Sequence, residues 1–260
     1  MALKLDMSKA YDRVECVYLF EVMNKMGFHP KFISLITECL TSVSYSVLIN
    51  GEPHRSFKPT RGLRQGDPLS PYLFLLCTEG LHGLLHEAAL SGVIHRVSIS
   101  RSAPKLSHLF FVDDSLLFCR ANVQECQKVL DILTLYEQAS GQKINRNKTT
   151  IFFSKSTSLD VQEAIKVFLQ VLVLRSYEKY LGLPYFVGRS KMQSFAYIKD
   201  RVWSKLQGWR ECLLSQAGRE VLLKAVVQAI PTYSMSCFRL PDRLCSDLEG
   251  LMRRFWWGSW

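Results

Sequence analysis

The sequence lacks the features of several protein classes. No run of uncharged residues approaches the roughly 18 to 20 that cross a bilayer; the longest, 225–238, has 14 residues and contains Pro231. Lys4, Asp6 and Lys9 stand where a signal peptide needs an apolar stretch. We therefore expect neither a membrane span nor an export signal. Low-complexity tracts and internal repeats are also absent, and with 48% apolar residues the 260-residue chain can bury a core of ordinary size.

Paired cysteine motifs are absent as well. The eight cysteines, at positions 16, 39, 77, 119, 126, 212, 237 and 245, form no Cys-x-x-Cys pair and have no regular spacing. We expect reduced thiols in a cytosolic or nuclear compartment rather than a disulfide framework or a zinc site. His82 and His86 have the spacing of a metal-binding pair, but the sequence offers no third ligand, and His108 is expected to be structural.

Positive charge is in surplus and unevenly distributed. The chain has 33 basic and 23 acidic residues, a net charge of +10. Residues 1–150 contain 17 basic and 14 acidic residues, whereas residues 151–260 contain 16 and 9. The basic C-terminal part indicates a polyanionic partner such as nucleic acid, and a solvated basic surface is the alternative.

Hydrophobic periodicity predicts an α+β region followed by a helical one. Residues 1–185 alternate between strand and helix patterns, and Asn50-Gly51 predicts a hairpin turn. Asp67 and Pro68 are expected to begin a long apolar helix that ends near Gly92. Helices are predicted over 191–213, 215–229 and 241–256.

Two acidic sites are candidates for a metal centre. Asp6 ends a predicted strand, and Asp113-Asp114 separate two predicted strands, 106–112 and 115–119. Clustered carboxylates repel one another, so a convergent trio implies a cation, for which Mg²⁺ is the natural candidate. Ordinary turn chemistry is the alternative for the Asp pair, but the strongly apolar flanking strands argue for a functional reason.

Five motifs occur in an order and spacing that suggest a family. They are Leu5-Asp6-x4-Tyr11-Asp12, Arg61-Gly62-Leu63-Arg64-Gln65-Gly66-Asp67-Pro68-Leu69-Ser70-Pro71, Phe111-Val112-Asp113-Asp114, Gly141-Gln142-Lys143-Ile144-Asn145-x2-Lys148-Thr149 and Tyr180-Leu181-Gly182. Together they resemble motifs A to E of the reverse transcriptases of non-LTR (LINE-type) retrotransposons. Later runs, including Gln228-Ala229-Ile230-Pro231-Thr232-Tyr233 and Phe255-Trp256-Trp257-Gly258, resemble the plant elements of that group.

The resemblance implies a polymerase palm, an antiparallel sheet packed on helices, over residues 1–185, and a truncated helical thumb over 186–260. It implies an RNA-directed DNA polymerase that adds dNTPs to a primer 3′-hydroxyl by two-metal catalysis, with an RNA template and a DNA primer as partners. The expected cofactor is two Mg²⁺ ions, with Mn²⁺ as a substitute. By similarity, Asp6 and Asp113 are the principal metal ligands and Asp114 is the third carboxylate.

The resemblance also assigns roles to residues outside the metal site. Tyr11 matches an aromatic gate beneath the nucleotide sugar, Lys148 matches a lysine that protonates pyrophosphate, and the remaining matches bind nucleotide (Arg61, Arg64, Gln65, Gly66) or grip the primer (Tyr180, Leu181, Gly182). The alternatives are an ordinary core aromatic for Tyr11, an exposed loop lysine for Lys148 and a plain turn for 180–182. Basic residues on the predicted C-terminal helices suit a template–primer duplex; they are Lys191, Lys199, Arg201, Lys205, Arg210, Arg219 and Lys224.

Two departures from the family pattern bear on activity. The family usually has alanine where this chain has Val112, and its complete members have a fingers region before motif A. Because only five residues precede Asp6, we expect the fingers and an endonuclease to be missing. A catalytically inactive remnant that at most binds nucleic acid is therefore the alternative function. Another palm-type enzyme, such as a nucleotide cyclase, would leave Gln65-Gly66 unexplained.

Overall fold

The computed structural model divides the chain into two compact units, Met1–Leu174 and Arg175–Trp260. It describes residues 1–98, 100, 102–154, 156–169, 172–173, 179–184, 187, 190–210 and 214–258. The domain boundary expected after residue 185 falls on residues outside the described part. The segment that carries Tyr180 groups with the second unit. Within the described residues, no helix has the length and apolar character needed to cross a membrane.

The first unit combines nine strands and five helices within its described residues. In chain order they are β1 (Ala2–Leu5), α1 (Cys16–Lys25), α2 (Pro30–Thr41), β2 (Tyr45–Ile49), β3 (Glu52–Phe57), α3 (Ser70–Leu90), β4 (Val97–Ser98), β5 (Lys105–Leu106), β6 (His108–Phe111), β7 (Asp114–Phe118), α4 (Val123–Ser140), β8 (Thr150–Phe152), α5 (Leu159–Leu169) and β9 (Leu172–Val173). The predicted α+β class is confirmed.

A five-stranded sheet forms the centre of this unit, with the strand order β6-β7-β1-β8-β9. β1 pairs antiparallel with both β7 and β8, β6 pairs antiparallel with β7, and β8 pairs parallel with β9. Leu3 lies opposite Leu117 on one side and Ile151 on the other, and all three side chains are buried. β1, which leads directly into Asp6, is therefore anchored on both sides.

Helices α1, α3 and α4 contribute to one continuous apolar core with this sheet. Leu19 of α1, Phe74 and Leu81 of α3, and Leu133 and Tyr136 of α4 are all buried in it. Burial of each large apolar side chain stabilises the fold by about 1.5–3 kcal/mol. The core holds the N-terminal strand, the long helix α3 and the acidic hairpin in one body.

Two hairpins test the turns that the sequence predicts. The Asn50-Gly51 turn is confirmed, since both residues have positive φ, 52° and 88°, between β2 and β3. The acidic hairpin differs from the prediction: its turn consists of Val112 and Asp113, and Asp114 begins β7 opposite Phe111. Val112 has φ 52°, a conformation costly for a β-branched residue. Valine favours strands, so the sequence pattern placed the turn one residue too late.

The second unit is mainly helical within its described residues. Its elements are β10 (Lys179–Tyr180), β11 (Leu183–Pro184), α6 (Lys191–Arg210), α7 (Gln216–Leu222), a π-helical turn (Leu223–Val227), α8 (Ala229–Cys237) and α9 (Asp242–Trp257). The predicted end of the first helix, 211–213, lies outside the described residues. α6 and α9 share a separate apolar core that includes Phe195, Val202, Leu244 and Leu251.

The predicted helix over 215–229 is too short. Proline usually ends an α-helix, because it has no N–H and its ring crowds the carbonyl four residues earlier. The chain instead widens into a π-helical turn, in which the Gln228 N–H donates to the Leu223 carbonyl at 3.0 Å. Helical structure then continues through Pro231 to Cys237. A wider turn accommodates a residue that an α-helix tolerates poorly.

A buried carboxylate joins the loop after α3 to the start of α4. Glu125 accepts hydrogen bonds from the backbone N–H groups of His95 and Arg120, both at 3.1 Å, and contacts His95 Nδ1 at 2.8 Å. The Asn122 side chain caps α4 by accepting from the Glu125 N–H at 2.7 Å. Burial alone would raise the pKa of Glu125, but these donors bring it below its usual value.

We expect Glu125→Gln to destabilise the protein by about 1–3 kcal/mol at pH 7, because an amide cannot accept all of these bonds. Since the folded-state pKa of Glu125 is lowered, its stabilisation is present above the unfolded-state pKa and is lost as the pH falls through the folded-state value. Urea unfolding at pH 7 and at about pH 4 measures both effects. Glu163→Gln, an exposed pair with Lys166, is the control; an equal loss in both variants would contradict this role.

Candidate active site

The loop after β1 is held on one side by the segment before α3. The Gly62 N–H donates to the Val14 carbonyl and the Leu63 N–H donates to the Tyr11 carbonyl, both at 2.8 Å. Gly62 has φ 94°, and a Cβ there would lie 2.8 Å from the Asp12 carbonyl oxygen. Only glycine permits this close approach. The first two motifs therefore meet through their backbones.

The segment after α4 holds the other side of the same loop. The Ser8 N–H donates to the Lys143 carbonyl and the Asn145 N–H donates to the Asp6 carbonyl, both at 2.8 Å. The buried Gln142 side chain donates from Nε2 to the Ala10 carbonyl at 3.0 Å. These bonds bring the fourth motif beside the first, although about 130 residues separate them.

The start of α3 places the second motif at the cleft. The Asp67 carboxylate accepts from the Leu69 N–H at 2.8 Å, but the helix begins at Ser70, two residues after Pro68, the predicted first position. Pro71, rather than Pro68, occupies its first turn. Gly66 has φ 89°, so Gln65 and Gly66 form a turn in front of the helix rather than part of it.

A cleft of about 570 Å³ opens where these segments converge with the acidic hairpin. Its lining comes from the loop after β1, the turn before α3, the first turn of α3 and the tip of the β6–β7 hairpin. The lining residues are Met7, Lys9, Ala10, Tyr11, Gln65, Gly66, Asp67, Ser70, Pro71 and Asp113. Four of the residues singled out by the sequence, Tyr11, Gln65, Gly66 and Asp113, are thus brought together.

Tyr11 is the aromatic wall of the cleft. Its ring stacks on Phe74 of α3, with centroids 4.7 Å apart and an interplanar angle of 17°. Burial and the nearby negative charge of Asp113 raise the pKa of Tyr11, so the hydroxyl stays protonated at neutral pH. The stacked ring is a rigid apolar surface beside an acidic side chain.

The other two predicted metal ligands face lysines. Asp6 Oδ2 lies 4.0 Å from Lys148 Nζ, and Asp114 Oδ1 lies 3.6 Å from Lys4 Nζ. Leu5 of β1 pairs with Ser115 of β7. Asp6 directly follows Leu5 and Asp114 directly precedes Ser115, so the two aspartates lie at adjacent strand ends. These carboxylates suit a hard divalent ion in chemical type. Among the described residues, however, no three His, Cys, Asp or Glu side chains form a group that could hold a metal ion.

Both arginines of the second motif are engaged away from the cleft lining. Arg61 pairs with Glu15 at 3.4 Å, and the Arg64 guanidinium lies over the Tyr45 ring, 5.9 Å from its centroid. The sequence placed them near phosphate because they lie close to the glycine turn at Gly66 and to the start of the helix that follows. It did not single out Lys9, which lines the cleft; its place three residues after Asp6 in the first motif is the signal that could have found it.

The predicted primer-grip residues form a tight hairpin in the second unit. Tyr180 pairs with Leu183, and the turn residues Leu181 and Gly182 both have positive φ, 50° and 78°. Such a turn matches the twist of a two-residue hairpin. The primer-grip role stays a prediction.

The histidines make a hydrogen-bonded pair. His82 Nδ1 lies 2.8 Å from His108 Nε2, and Ser107 Oγ lies 3.0 Å from His108 Nδ1. Burial, followed by the charges of His82, His86 and Arg96, lowers the pKa of His108 to about 4. His108 is therefore neutral at physiological pH and joins β6 to α3.

Comparison with known families agrees with this geometry. The profile of the reverse transcriptase (RNA-dependent DNA polymerase) family matches residues 1–195, three quarters of the chain. The chain belongs to the reverse transcriptase family. The predicted resemblance to the reverse transcriptases of non-LTR retrotransposons is thereby confirmed.

Relatives of this reverse transcriptase include transposon proteins. An uncharacterized 149 kDa protein of the transposon TX1 of Xenopus laevis is 26% identical over 98% of this chain. An uncharacterized mitochondrial protein of Arabidopsis thaliana is 52% identical over 26% of it, and the Pol polyprotein of the retrotransposable element R2DM of Drosophila melanogaster is 29% identical over 55%. The chain spans 19%, 56% and 13% of the lengths of these relatives, respectively.

Among solved structures, the telomerase of Candida albicans in complex with a fragment of telomeric RNA is similar, with 16% identity and a TM-score of 0.48. The similarity covers 90% of this chain and 39% of the telomerase chain.

We expect Gly62→Ala to destabilise the protein by roughly 2 kcal/mol or more, since the new Cβ meets the Asp12 carbonyl and the backbone is left-handed. Gly83→Ala, in the interior of α3 with open space around it, is the control and is expected to stabilise the protein by up to about 1 kcal/mol. Chemical denaturation measures both. Equal stability of the two variants would show that the contact between the first two motifs is not tight.

Proposed function

We propose that this chain is the palm and thumb of an RNA-directed DNA polymerase from a plant LINE-type retrotransposon, which adds dNTPs to a primer 3′-hydroxyl on an RNA template. The observation that carries the proposal is the cleft in which Tyr11, Gln65, Gly66 and Asp113 meet, because three separate motifs of a nucleotide site converge there. In this proposal residues 1–185 are the palm and 186–260 the thumb.

The nucleotide enters the cleft with its sugar on Tyr11 and its phosphates toward Gln65 and Gly66. The Tyr11 ring, fixed by Phe74, crowds a 2′-hydroxyl and favours dNTPs. The backbone at Gly66 carries no side chain, so a ligand can approach its N–H closely. Lys148, whose ammonium group is largely exposed beside Asp6, gives a proton to the leaving pyrophosphate.

Reverse transcriptases use divalent metal ions. Asp6, Asp113 and Asp114 are the residues that would hold two Mg²⁺ ions, or Mn²⁺ in their place, although among the described residues these carboxylates do not form a group that could hold a metal ion. Bound there, such ions would activate the attacking hydroxyl and neutralise the leaving pyrophosphate.

Helix α6 is the part of the proposed thumb that would meet the duplex. Several basic residues predicted to bind phosphate have partners within the protein: Lys199 pairs with Asp247, Lys224 pairs with Glu220, and Arg219 donates to the Trp256 carbonyl. Exposed cations remain on α6, where Arg201 and Lys205 lie one turn apart. Such a pair neutralises backbone phosphates without reading sequence.

The second candidate function is a catalytically inactive remnant that binds nucleic acid. The lysine contacts of Asp6 and Asp114 favour it, since these carboxylates are already neutralised within the protein. The two candidates differ in whether Asp113 matters for nucleotide transfer.

Asp113→Asn is expected to reduce primer extension on an RNA template with Mg²⁺ by at least roughly 100-fold, because the cleft loses a charge that the reaction requires. Asp131→Asn, an exposed residue of α4, is the matched control and should extend primers like the unaltered chain. Incorporation that survives Asp113→Asn would refute the proposed site. The same assay on a chain extended by the segment that precedes the matching region in the relatives separates the candidates. Extension by neither chain would favour the remnant.

Tyr11→Ala should relax sugar discrimination by roughly ten-fold, because removal of the ring opens space for a 2′-hydroxyl. The measurement compares single-nucleotide incorporation of dNTP and rNTP. It uses whichever version extends primers, the chain itself or the chain with the added upstream segment. Tyr72→Ala, an exposed tyrosine of α3, serves as the control. An unchanged dNTP preference in Tyr11→Ala would leave Tyr11 as an ordinary core aromatic.

A further inference from the structure

Lys9 stands apart from the other charged residues around the cleft. It is exposed, it lines the cleft together with Asp113, and it forms no hydrogen bond or ion pair with the described residues. The lining residues otherwise include two carboxylates, Asp67 and Asp113. Lys9 is thus the single cationic side chain among the described residues that line the cleft.

The backbone at Lys9 is held in a costly conformation. Lys9 has φ 51°, in the left-handed region that residues with a Cβ seldom adopt. Hydrogen bonds fix the chain on both sides of it, from the Ser8 N–H to the Lys143 carbonyl and from the Leu63 N–H to the Tyr11 carbonyl. Strain of this kind persists where surrounding structure imposes it, and glycine would relieve it.

We propose that Lys9 is the phosphate-binding cation of this cleft and contacts the triphosphate of the incoming nucleotide. This inference rests on the proposed function. Arg61 and Arg64, which the sequence had placed near phosphate, are engaged by Glu15 and by the Tyr45 ring. A polyphosphate entering beside Asp67 and Asp113 meets negative charge, and the Lys9 ammonium group offsets it with a charge-assisted contact.

Nucleotide binding by the full chain tests the proposal. Titration with dTTP, dTMP, thymidine and inorganic tripolyphosphate, each in Mg²⁺ buffer, separates phosphate contacts from base and sugar contacts. Lys9→Asn should weaken binding of dTTP and tripolyphosphate roughly ten-fold and leave thymidine unchanged. Lys9→Arg should bind all four like the unaltered chain. Lys31→Asn, an exposed lysine of α2, should change none of them.

Stability supplies a second, independent readout. Lys9→Gly should raise the melting temperature by about 2 °C because it relieves the left-handed backbone, while weakening dTTP binding as Lys9→Asn does. Lys31→Gly should lower the melting temperature, since α2 loses a helix former. A gain in stability coupled to a loss of phosphate affinity is expected only if the strain positions a functional side chain.

Two results would overturn the proposal. One is dTTP binding that Lys9→Asn leaves unchanged; the other is a chain that binds neither dTTP nor tripolyphosphate. The proposed function fails separately: Lys9-dependent dTTP binding without primer extension, in the chain with or without the preceding segment, supports Lys9 as a phosphate ligand and rejects polymerase activity.

Discussion

The candidate site depends on backbone hydrogen bonds that hold the loop after β1 from two sides. Leu63 and Gly62 bind it on one side, while Lys143 and Asn145 bind it on the other. These bonds bring the second and fourth motifs, from distant parts of the sequence, against the first. Because they join backbone groups, they are insensitive to most side chains. Glycine is demanded where two segments touch, at Gly62 against Asp12 and at Gly141 against Arg13.

Two of the three aspartates of the predicted metal site pair with lysines. Asp6 and Asp114 face Lys148 and Lys4, and each pair offsets the cost of placing carboxylates at adjacent strand ends. Asp113 instead lines the cleft with Lys9. A ligand that enters the cleft therefore meets Lys9 beside two carboxylates, Asp67 and Asp113.

Turn signals in the sequence were most reliable where the residue types themselves determine the backbone conformation. Asn50-Gly51 predicted its hairpin, because both residues tolerate positive φ. The failures occurred where tertiary context overrides propensity. Val112 takes a turn position with φ 52° although valine favours strands, and a π-helical turn carries the helix past Pro231. Neither could be predicted from residue type, since each conformation is costly alone and is maintained by surrounding packing.

The sequence by itself determined the family, the α+β class and four of the residues in the cleft, Tyr11, Gln65, Gly66 and Asp113, because motif order and apolar periodicity are properties of the chain. The tertiary structure decided which of those residues meet. It placed Tyr11 and Asp113 in one cleft, turned Arg61 toward Glu15, and left Lys9 as the cation among the described residues that line this cleft. Side-chain partners depend on distances between segments far apart in sequence, and only the folded backbone defines those distances.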